Sequence, residues 1–151
     1  MGLLPSRPSP PDPNVPTPIS SERLAELFKK AELYHFIDSD GDLGGRWDDA
    51  TYYFTFQGSN DEIMVVRGQY PGRVNARHLE TVREVLDASL RSRPWPNASF
   101  RIDDDGTLRV LTDHAVDYEH GATDAQLMQH VACATAMAGR LFERLDQALD
   151  R

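Results

Sequence analysis

The sequence predicts an α+β domain. An antiparallel sheet of about five to six strands carries three packed helices, in the order α-β-β-β-β-α-β-β-α. Three observations lead there. Asp40-Gly41 sits between two short extended segments and is a strong hairpin signal, because Gly takes positive φ without steric cost. Thr51-Tyr52-Tyr53-Phe54-Thr55-Phe56 is β-branched or aromatic throughout, the composition of a pleated, half-buried strand. Thr123-Asp124-Ala125-Gln126 is a capping-box pattern opening a long helix to about Leu149, roughly 40 Å at 1.5 Å per residue.

Residues 1 to 18 precede the domain, which spans 19 to 151. Pro5, Pro8, Pro10, Pro11, Pro13, Pro16 and Pro18 leave this tail few donors and few apolar groups, so it reads as extended, with polyproline character. Pro8 and Pro11 form a PxxP match, and a spacer role is the simpler reading. Ser20 caps the first helix, with Ile19 and Leu24 placed as a hydrophobic staple and Leu24, Leu27, Phe28 and Ala31 on one face. Strands follow at Tyr34 to Asp38, Asp42 to Trp47, Thr51 to Phe56 and Glu62 to Tyr70. Gly44-Gly45 suggests a bulge or a close backbone approach. Asn75 caps a second helix to about Arg91, with Leu79, Val82, Leu86 and Leu90 as its stripe. Pro94-Trp95-Pro96 forces an extended link. Phe100 to Asp103 and Thr107 to Thr112 form the last hairpin around Asp104-Asp105-Gly106.

The length of 151 residues suits one domain, and 40% aliphatic and aromatic residues suffice for a core. A net charge of −8 argues against a nucleic-acid partner, whose phosphates demand a basic surface. No apolar run approaches the roughly 20 residues of a membrane helix, and the N-terminus lacks the apolar core of a signal peptide. Cys133 is the single cysteine, so no disulfide framework exists within one chain and a reducing cytoplasm is expected.

Catalytic and metal-binding signatures are weak. Asp38, Asp40 and Asp42 resemble the start of a calcium loop, but Leu43 stands where such a loop needs Gly, and Asp49 where it needs Glu. The hairpin reading is preferred. His114, Asp117, Glu119 and His120 form the densest set of ligand-type side chains and support an alternative reading as a metal-binding protein or hydrolase. In an extended segment His114 and His120 would face one way and Asp117 and Glu119 the other, which splits the set. No GxSxG elbow, GxGxxG or phosphate loop occurs, and no cofactor is expected.

Aromatics and strand charges offer the better lead. Arg46, Trp47, Tyr53, Arg67 and Trp95 are candidate partner-binding residues on or beside the sheet, since Tyr and Trp serve as anchors at interfaces. The last helix is apolar or small nearly all round from His130 to Gly139, so it needs cover on a second face. That cover is either the first helix or the same helix of a second subunit. The second case makes Cys133, Ala134, Met137 and Ala138 a dimer interface.

Taken in order, Asp40 to Trp47, Val66-Arg67-Gly68, Trp95-Pro96, Asp104 to Val110 and Asp117 to Leu127 resemble the actinobacterial branch of the YbjN-domain family, over about residues 17 to 148. The resemblance implies a compact α+β fold like that of type III secretion chaperones, often dimeric and without established enzymatic activity. It further implies a regulatory role in sensory transduction. The expectation that follows is a non-enzymatic, chaperone-like or regulatory module that binds a partner protein as a homodimer, with fold analogy as its basis.

Overall fold

The computed structural model describes residues 7–93 and 96–151. Three helices lie on one face of a seven-stranded antiparallel sheet. In chain order the elements are α1 (Ser21–Lys30), β1 (Phe36–Ile37), β2 (Leu43–Trp47), β3 (Ala50–Gln57), β4 (Ile63–Gln69), β5 (Val74–Asn75), α2 (Leu79–Ser92), β6 (Asn97–Ile102), β7 (Thr107–Asp117) and α3 (Asp124–Ala148). The sheet runs β1-β2-β3-β4-β7, with β5 and β6 also paired to β7. Among the described residues, no helix is long and apolar enough to cross a membrane.

The helix starts follow their capping chemistry. Ser20 accepts from the Arg23 amide, and Thr123 and Gln126 exchange bonds in a complete capping box. Asn75 caps a single 3-10 turn, residues 76–78, and α2 begins only after it. The first hairpin closes on Gly41 at φ 85, with the Gly41 amide donating to the Asp38 carbonyl at 3.1 Å. The Asp38 carboxylate accepts from the amides of Asp40 and Asp42, both at 2.9 Å. That is the job of an Asx turn, in agreement with the hairpin reading.

Some boundaries differ from expectation. The first strand shrinks to two residues because the Tyr34 carbonyl accepts from the Trp47 indole (3.0 Å) instead of joining the ladder. β7 extends five residues past Thr112, since 111–117 pair with 69–63 of β4. β5 adds a seventh strand that its two-residue length concealed. On α2, Ser89 is buried and Leu90 exposed, so the stripe turns away from Leu90. Ala31 is the exposed C-cap of α1. Gly44 and Gly45 mark close approach: a Cβ there would lie 2.4 Å from the Phe36 ring and 2.7 Å from the Trp47 ring.

Register assigns the faces. Leu43, Tyr52, Phe54, Met64, Val66, Leu108 and Val110 point toward the helices and are buried. With Leu24, Phe28, Val82, Leu127, Leu141 and Leu145 they form one core. α3 contacts β4 and β7, with α1 and α2 also packed against it. Gly68 makes this approach possible. A Cβ there would stand 2.5 Å from Thr112 Oγ1 and 3.4 Å from the Ala138 methyl. Ala134 and Ala138 are accordingly 4% and 1% exposed within the chain itself. These two small residues serve the chain's own helix–sheet contact. Cys133 and Met137 sit beside them, half-buried.

Candidate functional site

The helix face is not fully covered. α3 spends its larger apolar residues, Leu127, Leu141 and Leu145, on the core. On its flank toward the β2–β3 hairpin it carries Ala132, Ala136 and Gly139. Side chains this small leave space, and a groove of about 580 Å³ opens between that flank and Trp47, Ala50 and Tyr52. Leu33 and Pro71 also line it, and Asp48, Glu143 and Asp146 bring carboxylates to it.

The aromatic wall is held from behind. The Trp47 and Tyr52 rings stack at 5.8 Å and 28°, and Phe28 meets Trp47 edge-on at 5.6 Å. Burial, helped by the charge of Asp48, pushes the Tyr52 phenol up to about 12. On the far side Asp146 accepts a hydrogen bond from the Tyr70 hydroxyl. The groove therefore combines rigid apolar walls with acidic groups.

The other residues singled out from the sequence are distributed differently. Arg46, Tyr53 and Arg67 project from the opposite, helix-free face of the sheet, because they alternate with Trp47, Tyr52 and Val66. The expected partner-binding set is thus divided by the sheet. Tyr53 meets Phe36 edge-on at 5.9 Å. Arg67 forms a cross-strand ion pair with Asp113 at 2.8 Å, and that hydrogen bond raises its pKa. Trp95 lies outside the described residues.

The set His114, Asp117, Glu119 and His120 does not converge. His114 lies on the helix face, whereas Asp117 caps the Glu119 amide at 2.9 Å. Glu119 pairs with the solvent-exposed His120 at 3.2 Å. Among the described residues, no three or more His, Cys, Asp or Glu side chains are grouped to hold a metal ion. What His114 meets instead is His130, ring to ring at 4.7 Å. His130 is 4% exposed. Its Nε2 lies 3.1 Å from the His114 carbonyl, which can only accept, so Nε2 carries the proton. Its Nδ1 then accepts from the Tyr118 hydroxyl at 3.1 Å. Burial pushes His130 down to about 4 and also lowers His114, so both rings are neutral near pH 7. Sequence spacing could not reveal this trio, because its members meet only through the β4–β7 register and the packing of α3.

Comparison with known proteins agrees with the fold. Residues 20–147 match the model of the YbjN family, "Putative bacterial sensory transduction regulator". The crystal structure of YbjN from E. coli superposes with a TM-score of 0.72 at 12% identity, covering 89% of this chain and 96% of that one. An uncharacterized protein from Methanothermobacter thermautotrophicus superposes with a TM-score of 0.60 at 9% identity, covering 85% of this chain and 98% of that one. No curated protein matches the sequence. The match over residues 20–147, with the fold superposition beside it, places this chain in the YbjN family.

Proposed function

We propose that this chain is a non-enzymatic regulatory module that holds a segment of a partner protein in the groove between α3 and the β2–β3 hairpin. The observation that carries the reading is the groove's composition: Trp47, Tyr52 and small α3 residues inside, Asp48, Glu143 and Asp146 around them. Such a surface suits an amphipathic segment whose apolar residues fill the groove while flanking Lys or Arg side chains meet the carboxylates. The family's regulatory description supports it. A chaperone-like role is one form of the same reading, in which the held segment belongs to a client.

The test is selection of peptides from a displayed random library on the full chain, followed by titration against wild type and Ala136→Trp. Ala136 is exposed on the groove flank, so a Trp there fills the space without touching the core. Selected peptides with apolar positions flanked by Lys or Arg, and at least tenfold weaker binding to the variant, support the proposal. Equal binding to both proteins, or loss on Tyr53→Ala instead, would overturn it. A dimeric mass in light scattering that becomes monomeric in Ala136→Trp would assign the groove to a second copy, and this also overturns the reading.

A further inference from the structure

On the helix-free face of the sheet, three arginines surround a small pocket, in a chain whose net charge is −8. Arg101 and Arg109 are direct cross-strand partners of β6 and β7. Like charges placed opposite each other destabilise a sheet unless something neutralises them. Here Asp103 does part of that work, accepting a hydrogen bond from Arg109 Nε at 2.5 Å and forming an ion pair with Arg101, whose Nε lies 3.2 Å away. One carboxylate thus serves two guanidinium groups through their Nε atoms. Their terminal amino groups donate to no protein acceptor among the described residues. Arg67 enters from β4, paired with Asp113. Asp105 also acts on Arg109 through its charge, so the pocket is set apart by the terminal N–H donors of Arg101 and Arg109 that no protein acceptor among the described residues takes, not by a net positive charge. Asp105 is engaged with the Thr107 amide at 3.0 Å.

The pocket has a volume of about 140 Å³, with Gln69 at its side and Val110 and Leu111 lining it. That is room for about five waters, and so for one tetrahedral oxyanion rather than a nucleoside. Guanidinium groups present paired N–H donors in a plane that matches phosphate oxygens. We infer that the pocket formed by Arg67, Arg101 and Arg109 binds a phosphoryl group, as free phosphate or as the phosphate of a small monoester. The acidic groove on the other face is a separate surface, so this site stands or falls independently of the peptide-binding reading.

The experiment titrates inorganic phosphate, and separately phosphoserine, into the isotopically labelled full chain, with chloride at matched ionic strength as control. Backbone amide shifts of Gln69, Arg101 and Arg109 that saturate with phosphate and not with chloride support the site. A tighter phosphoserine response identifies the monoester as the source, and an equal one identifies free phosphate. Arg101→Gln and Arg109→Gln should each weaken binding at least fivefold, with Arg109→Lys intermediate, because a point charge remains but the planar fork is lost. Unchanged spectra for wild type, the same response to chloride, or full binding by the folded Arg101→Gln/Arg109→Gln double variant would overturn the inference.

Discussion

Acidification to pH 4.5 should remove a measurable part of the stability, and His130 should be the cause. The ring is 4% exposed and neutral, held at about 4 in the folded chain against an ordinary 6.5 once unfolded. A depressed pKa on a base means the unfolded chain binds the proton first. Stability is therefore unaffected above pH 6.5 and falls as the pH drops from 6.5 toward 4. Full expression of that difference corresponds to about 3 kcal/mol, and about 2.5 kcal/mol is reached at pH 4.5. Local relaxation that admits water reduces this somewhat. His114, lowered by burial and in ring contact with His130, acts in the same direction. Protonated His130 would also lose the acceptor that Tyr118 uses, since Nδ1 would then carry a proton. The assay is urea unfolding at pH 7.5, 5.5 and 4.5 for wild type and His130→Gln, which keeps polar character without titrating. The variant removes the His130 share, while the carboxylate contribution common to both proteins cancels in the difference. Wild type should lose about 2 kcal/mol more than the variant between pH 7.5 and 4.5. Parallel pH profiles would refute the assignment of a buried neutral imidazole.

Three further outcomes test the architecture. Gly68→Val should cost about 2 to 3 kcal/mol in urea unfolding, because its branches would collide with Thr112 and push α3 off the sheet; a cost under half a kilocalorie would mean the helix is not seated there. Asp38→Ala should cost about 1 kcal/mol through loss of its bonds to the Asp40 and Asp42 amides. Millimolar calcium should leave the melting temperature of wild type unchanged, and a calcium-dependent rise abolished by Asp38→Ala would reinstate the calcium loop.

Local chemistry was legible wherever a few neighbouring residues decide the outcome. Ser20 and the Thr123–Gln126 pair specified helix starts through side-chain bonds within one turn. The alternation of Tyr52, Phe54 and Phe56 against Tyr53 and Thr55 separated the faces of β3. Asp40-Gly41 located the first hairpin, and the YbjN resemblance emerged from these same turn and strand signatures. Short or shared elements were harder. Two residues at Val74–Asn75 carry no periodicity, and β7 beyond Thr112 is a strand because β4 lies beside it.

The site belongs to the second kind of information. The small residues of α3 announced close packing, but the same composition serves the first helix or a second subunit equally well. It is the register putting Gly68 beneath Ala138 that shows these two alanines packed on the chain's own sheet. Likewise, Arg46 and Trp47 are neighbours in sequence and lie on opposite faces of the sheet, so residues that looked like one surface became two. Sequence alone determined the helix caps, the turns and the alternation of strands, because those energies arise within a few residues. Tertiary structure decided the groove, the histidine pair and the arginine pocket, because each depends on side chains brought together across strands or between a helix and the sheet.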